Sequence, residues 1–288
     1  MKPIRKAVLP VAGLGTRVLP AAKTTPKNLL TVFDRPILSY VVAEARAAGI
    51  EHLIFIVGRG QGAIEDYFDH HIELEANLKA KGKTELLAEM DAELGKPGEM
   101  SFVRQMQPLG LGHAVWCARD LIGDEPFAVM LPDMLMAAAP GALAQAVTAY
   151  EQLGGNVIVV EPAPEGEAHK YGIVALEGRE GRIGKMTGMV EKPAPGTEPS
   201  NLFISGRYIL QPEIFEALSA HETGSGGEIQ LTDAMVKLMT SQDFHALEYD
   251  GTTYDCGDKL GLLRANVAYA LARPDLGNAA RAMLKGML

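Results

Sequence analysis

The clearest chemical signal in the chain is the run Ala12-Gly13-Leu14-Gly15-Thr16-Arg17, followed at short range by Lys23 and Lys27. Glycines at the carboxyl end of a first strand let backbone N–H groups come close to phosphate oxygens. A guanidinium and two ammonium groups beside such a turn neutralise an anion. Ala12, Gly13, Leu14, Gly15 and Thr16 are thus candidate phosphate-binding positions, with Arg17, Lys23 and Lys27 as their cations. A dinucleotide fingerprint would need a third glycine, where this chain has Val18, and a P-loop would need a Lys-Ser/Thr pair that does not follow. An acidic residue expected at the end of the second strand of a nicotinamide dehydrogenase is replaced by Gly58.

Other residues carry chemistry more quietly. Gln105 precedes a glycine-containing turn, and a primary amide offers both a donor and an acceptor to a pyrimidine edge. Asp133 follows a buried apolar run, at the kind of strand end that faces a ligand crevice. Glu191-Lys192 sets a carboxylate beside an ammonium, and Asp255 lies in the turn-like string YDCGD. Read alone, Gln105 and Asp255 are ordinary turn residues, and Glu191-Lys192 an ordinary surface pair. His70 and His71 are adjacent and would not converge on one ion. His113 opens a helix beside the glycine turn and is expected to order that turn rather than serve as a base.

The elements that must position these groups alternate in type. Residues 6–12 and 52–57 (HLIFIV) read as buried strands, and Pro36 opens a helix with Ile37, Tyr40, Val41 and Ala45 along one stripe. Residues 101–104, 127–131 (FAVML) and 156–161 (NVIVVE) read as further strands, with helices over 112–121 and 141–153. This is βαβ alternation. Residues 60–95 read as a charged helical excursion, an exposed lid or partner surface. Beyond residue 161 the texture changes: 171–176, 185–191 and 201–210 read as strands with antiparallel pairing. Helices are expected over 212–220, 228–240 and 259–272, with a weakly amphipathic tail over 277–288.

The 288 residues are 47% apolar and 22% charged, with a formal net charge of −9. That suits a soluble globular protein without the basic stripe of a nucleic-acid binder. Its two cysteines, Cys117 and Cys256, have no metal-ligand spacing and read as reduced thiols of a cytoplasmic protein. The basic residues before the short apolar run at 7–14 fit a buried first strand better than a signal peptide, and no stretch is long enough to span a membrane.

The run VAGLGTRVLPAAKTTPKNLL resembles the nucleotide-binding loop of the sugar-1-phosphate nucleotidyltransferases, whose usual form is GxGTRxxPxTxxxPKxxxP. The similarity continues through VRQ…GLGHAV (103–115), LPD (131–133), YGIV (171–174), VEKP (190–193), GRYIL (206–210), GEIQLTDA (227–234) and YDCGDKLG (254–261). The order and spacing are nearest to the bacterial UTP:glucose-1-phosphate uridylyltransferases.

That resemblance implies an α/β, Rossmann-like nucleotidyltransferase fold with a mixed, mostly parallel central sheet flanked by helices and a smaller antiparallel sugar-binding part. One domain, 1–288, would contain a nucleotide half (about 1–160), a sugar-phosphate half (about 161–260) and C-terminal helices (261–288). It implies UTP and glucose 1-phosphate as substrates, Mg2+ as cofactor, Asp133 and Asp255 as metal positions, and a homodimer or homotetramer with no nucleic-acid or membrane partner. Gln105 and Gly110 would hold the uracil. Gly172, Glu191 and Lys192 would hold the sugar phosphate, Lys192 also acting catalytically with Arg17 and Lys27. Asn201 and Arg207 match strand positions without an assigned role. Three residues depart from the pattern: Asn28, which would keep the nucleotide-binding position, replaces a nucleoside-binding glutamate, Thr31 a proline and Ala22 a threonine. A thymidylyltransferase, another hexose-1-phosphate nucleotidyltransferase and a catalytically weak sugar-nucleotide-binding paralogue remain alternatives.

Overall fold

The computed structural model describes residues 1–287; the last residue of the expected 277–288 tail lies outside the described residues. The centre of the molecule is a nine-stranded sheet made of β1 (Lys6–Pro10), β2 (His52–Val57), β3 (Met100–Arg104), β4 (Phe127–Met130), β5 (Asn156–Pro162), β6 (Gly172–Glu180), β7 (Ile183–Glu191), β8 (Leu202–Leu210) and β9 (Phe244–Glu248). Their order across the sheet is β3-β2-β1-β4-β8-β5-β9-β7-β6.

The strands β3, β2, β1 and β4 are parallel, as βαβ alternation requires. The strand β8 then enters antiparallel to both β4 and β5. Another parallel ladder joins β5 to β9, and β7 and β6 close the far edge antiparallel. The sheet is mixed, as expected, but parallel pairing predominates only in its first four strands. The reason is β8, which returns to the middle of the sheet and reverses its sense there. The antiparallel part is therefore an extension of the same sheet. The parallel strand β9 and two short ribbons were not foreseen: Phe244–Glu248 is too brief and mixed in character to announce itself, and ribbon strands of two to four residues carry almost no pattern.

Alternate residues of each central strand enter opposite cores, the period-2 rule of a pleated sheet. Ala7, Leu9, Leu53, Phe55, Val157 and Val159 pack with helices Ile37–Ala47 and Ala142–Leu153 on one face. On the other, Val8, Ile54, Ile56, Ile158 and Val160 pack with Ala114, Phe215, Leu218 and Met235 of three further helices. Each fully buried Leu, Ile or Val contributes about 1.5–3 kcal/mol relative to exposure. The expected helix at 112–121 is broken into Leu111–Trp116 and Arg119–Ile122. The 60–95 excursion is three short helices; two of them, Ile72–Ala80 and Thr84–Glu93, bury no residue.

One polar feature pierces this core. Arg207 is fully buried on β8, within the stretch from Ile204 to Tyr208 over which the register with β5 shifts. Such an irregularity re-aims a side chain within it. Its guanidinium donates from Nε to Glu44 Oε1 (3.1 Å) and from Nη2 to Glu44 Oε2 (2.7 Å). It also donates to the carbonyls of Leu131 (3.0 Å) and Met134 (2.9 Å). Glu44 accepts in addition from the Leu143 amide (2.9 Å), at the start of helix Ala142–Leu153. One ion pair thus ties β8, two helices and the turn that carries Asp133. Removing one partner strands the other as an uncompensated charge, so Glu44→Gln is expected to lower unfolding free energy by about 3–5 kcal/mol. Urea denaturation reads this directly, and a loss near zero would reject the clamp.

Candidate active site

The glycine loop leaves β1 and packs directly on Lys27. A Cβ on Gly13 would lie 3.3 Å from Lys27 Cε. Gly15 has φ +66°, and a Cβ there would lie 2.9 Å from Lys27 Cβ and 3.0 Å from Ala22 Cβ. Only glycine meets both the left-handed backbone and the lack of space. The loop start is held from below: Gln61 Nε2 donates to the Val11 carbonyl (2.9 Å) and Gln61 Oε1 accepts from the Gly58 amide (2.7 Å). Gly58 itself would put a Cβ 3.3 Å from the Ala12 carbonyl. Gln61 was not singled out in the sequence, because its contacts form only when β1 and β2 lie side by side.

The closeness of that packing delivers Lys27 to Asp133, with Nζ 2.5 Å from Oδ2. Arg17 reaches both acids, 4.0 Å from Asp133 and 3.4 Å from Asp255. The two aspartates are brought together by a ribbon in which Met134–Ala137 pairs with Thr252–Asp255 and Met134 lies opposite Asp255. The Cys256 amide donates to the Asp133 carbonyl (2.8 Å), and the Gly257 amide to Asp255 Oδ1 (2.7 Å). A Cβ on Gly257 would lie 2.5 Å from Arg17 Nη2, 2.8 Å from Asp255 Oδ1 and 3.1 Å from Asp133 Oδ2. Gly257 therefore marks the point on which both carboxylates and the guanidinium converge, a role invisible in the string YDCGD.

The two acids sit in opposite electrostatic states. Burial would raise the Asp133 carboxyl, but Lys27, and more weakly Arg17, outweigh it and hold it below its ordinary value. Burial raises the Asp255 carboxyl; the Gly257 amide opposes this, the Asp133 charge adds to it, and the net shift is upward. Two carboxylates that both approach the Gly257 position suit a hard divalent cation, which favours oxygen ligands and keeps places for waters and phosphates. No group of three or more His, Cys, Asp or Glu side chains suited to a metal exists among the described residues. Such a cation would therefore rest on this pair.

A second cluster lies at the end of the β6–β7 hairpin. Glu191 pairs with Gly172, whose missing Cβ would stand 2.9 Å from Glu191 Oε2. Thr232 donates to the same oxygen at 3.1 Å. Lys192 has φ +49°, a left-handed backbone that a residue with a Cβ adopts at a cost of about 1–3 kcal/mol. Its Nζ is 3.7 Å from Glu191 Oε1. The clusters share one electrostatic neighbourhood. Tyr171 is raised by burial, then by Glu167 and Asp255, while Arg17 acts against the shift. Tyr208 is raised by burial and feels both Glu191 and Asp133.

The pyrimidine candidates are also built. Gln105 Nε2 donates to the Gly110 carbonyl at 3.1 Å. Gly110 has φ +102°, and a Cβ there would lie 2.8 Å from both Glu228 Cβ and the Ile229 carbonyl. The Gly112 amide donates to the Ile229 carbonyl (2.8 Å) and the Ile229 amide to the Leu109 carbonyl (2.7 Å), which explains why GEIQ accompanies the glycine turn.

Other residues fall outside these clusters. Asn28 is fully buried, with Nδ2 donating to the Val11 carbonyl (3.1 Å), so its side chain ties the loop from beneath. Lys23 and Thr16 are exposed, and Leu14 is 76% exposed. His71 caps helix Ile72–Ala80, and His70 pairs with Glu75.

The opposed shifts give opposite signs on substitution. The folded-state value of Asp133 is depressed, so its charge stabilises the fold above the unfolded value near 3.8, and that contribution is lost as pH falls through the folded value. The folded-state value of Asp255 is raised, so its charge costs stability at neutral pH, and the cost disappears as pH falls below the unfolded value. At pH 7, Asp133→Asn is expected to lower the melting temperature, while Asp255→Asn leaves it unchanged or higher. Equal losses in both variants would contradict this assignment.

The nucleotidyl transferase family profile matches residues 6–271. The chain is 46% identical over 288 residues, its whole length and 98% of the relative's, to the UTP–glucose-1-phosphate uridylyltransferase of Bacillus subtilis (strain 168). It is 43% identical over 99% of both chains to the protein of that name from Staphylococcus epidermidis (strain ATCC 12228 / FDA PCI 1200). Among solved structures, a UTP-bound UGPase from Acinetobacter baumannii superposes with a TM-score of 0.90 at 42% identity, covering 98% of each chain. A UDP-glucose pyrophosphorylase complexed with UDP-glucose superposes with a TM-score of 0.83 at 38% identity, covering 94% of this chain and all of that one. Built as described and matched over nearly its full length, this chain belongs to the nucleotidyl transferase family.

Proposed function

We propose that this protein transfers a uridylyl group from UTP to glucose 1-phosphate, forming UDP-glucose and pyrophosphate. The observation that carries the reading is the convergence of Arg17, Lys27, Asp133 and Asp255 beside a glycine loop. The relatives named for this reaction, and those solved with UTP and UDP-glucose, supply its specificity.

The sugar phosphate is already ionised at neutral pH, so no general base is needed. One of its phosphate oxygens attacks the α-phosphorus of UTP in line. An O–P bond forms, the bond to the bridging oxygen of the β-phosphate breaks, and pyrophosphate leaves with the electron pair. The barrier lies in joining two anions, so catalysis is positioning and charge stabilisation. Backbone amides from Ala12 to Thr16 line the triphosphate, and Arg17 and Lys27 offset the charge growing on pyrophosphate. Magnesium held by Asp133 and Asp255 would supply a hard divalent charge shared with the reacting phosphates. Glu191, kept in place by Thr232, accepts from sugar hydroxyls, and Lys192 screens the attacking phosphate. Gln105 and Gly110 take the uracil edge.

The nucleotide and sugar-phosphate halves act as one domain on this reading, and the protein works in the cytoplasm. No described helix is long and apolar enough to cross a membrane. It works as a homodimer or homotetramer. The bare helices of the 60–95 excursion border a cavity of about 1030 Å³ lined by Tyr67, Leu74, Leu86 and Met90 and by the acids Asp66 and Glu89. Helix Gly277–Met287 offers the complement in a second copy, exposing Met283 and carrying Arg281 and Lys285 with no acid. Light scattering after size exclusion is expected to give two or four chains per particle; a monomer at micromolar concentration would reject this.

The reaction is tested by magnesium-dependent pyrophosphate release with glucose 1-phosphate and each of UTP, dTTP, ATP and GTP. UTP is expected to dominate. A dTTP preference would reassign the product, and silence with every nucleotide would overturn the reading. In the same assay Lys192→Gly is expected to lower kcat/KM by about 30–1000-fold, the scale of losing one preorganised charge. Its melting temperature should hold or rise, because glycine relieves the left-handed backbone. Near-normal turnover would remove Lys192 from the mechanism.

A further inference from the structure

The amide of Gln105 can be oriented without ambiguity. The atom 3.1 Å from the Gly110 carbonyl must be a donor, because a carbonyl only accepts, so it is Nε2. The same nitrogen lies 3.0 Å from His113 Nδ1. Both of its hydrogens are thus engaged inside the protein, one by each acceptor. His113 Nδ1 must then be unprotonated, and the neutral ring holds its proton on Nε2.

The surroundings keep His113 in that form. The ring is 9% exposed, with Trp116 stacked against it and the His221 ring edge-on at 5.7 Å between centroids. Burial, and then His221, push its pKa below the ordinary value. Meanwhile Gln105 Oε1 has no hydrogen-bond partner among the described residues, although the residue is only 8% exposed. Of the polar atoms of this side chain, the accepting Oε1 is thus the one left for a ligand, while both hydrogens of Nε2 are taken.

We infer that His113 is a positioning residue for base selection: it locks the Gln105 amide so that only an accepting oxygen meets the base, admitting the N3–H imide edge of uracil and refusing the N3 lone pair of cytosine. This rests on the reading of Gln105 as the pyrimidine contact. An unlocked amide can turn its N–H outward and satisfy either base. A locked one leaves cytosine with two facing lone pairs, an unpaired buried contact of the kind that discriminates strongly. The Gly110 carbonyl alone engages one of the two hydrogens, and His113 engages the other. Thymine shares the uracil edge, so this device separates pyrimidine imides from cytosine and not dTTP from UTP.

The test compares kcat/KM for UTP and CTP in the wild-type enzyme, His113→Phe and His113→Asn, at saturating glucose 1-phosphate and magnesium. Phenylalanine keeps a ring against Trp116 and His221 but removes the acceptor. Asparagine restores an acceptor, since its Oδ1 is bonded to Cγ as Nδ1 is. The UTP/CTP ratio is expected to fall about 10-fold or more in His113→Phe, the scale of one lost buried hydrogen bond. The change should lie mainly in a lower KM for CTP with kcat nearly constant, and His113→Asn should recover most of the ratio. An unchanged ratio in His113→Phe, or no recovery in His113→Asn, overturns the inference. Nitrogen-15 spectra of wild-type His113 give a check independent of any variant. An unprotonated Nδ1 at pH 7.5 is required, and a protonated one overturns the lock. A wild-type enzyme that uses CTP as well as UTP would instead overturn the reading of Gln105 itself.

Discussion

The bidentate pair between Glu44 and Arg207 is the constraint on which the catalytic end of the sheet depends. An arginine with no exposure is tolerated only when its donors are met, and here Glu44 and the carbonyls of Leu131, Met134 and Gly206 accept from all three guanidinium nitrogens. The Leu131 and Met134 carbonyls flank Asp133 on either side. The pair therefore stiffens the turn that presents the acid, and does so from a strand contributed by the second half of the chain. The antiparallel β8 is both the reason the sheet is mixed and the means by which its two parts share one support.

Around that support the site concentrates charge that would separate if free. Two carboxylates converge near Gly257, one held below and one above its ordinary value, and Arg17 bridges them. Lys27 is directed to Asp133 by contact with Gly13 and Gly15, so the glycine loop shapes cation placement. Left-handed Lys192 adds backbone strain at the same end of the molecule. Strain and like-charge repulsion of this kind persist where surrounding structure over-determines them, and they gather at functional sites.

Much of the fold was legible. Runs such as HLIFIV and FAVML are buried on both faces, so their continuous hydrophobicity marked them as strands, and Pro36 and the stripe behind it marked a helix. The short ribbons and β9 were not legible, because their pairing is long-range and their few residues hold no period. The break after Trp116 was also missed, since helical composition continues across it.

Taken by itself, the sequence determined which residues could do the chemistry: a glycine loop with Arg17 and Lys27, an aspartate after an apolar strand, and a glutamate and lysine at a hairpin end. The glycine loop and its cations follow from residue type and near-neighbour spacing, which are local, whereas the roles of Glu191 and Lys192 came from the resemblance of the whole motif series. Which groups meet was decided only by tertiary structure. Asp133 and Asp255 adjoin through a four-residue ribbon, Gly257 matters for an oxygen-lined point in space, and Glu44 meets Arg207 across the core. Asn28, adjacent to Lys27 in sequence, is carried beneath the loop and away from the open face. The physical reason is common to all of them: electrostatic and steric contacts fall off over a few ångströms in space, and separation along the chain says nothing about that distance.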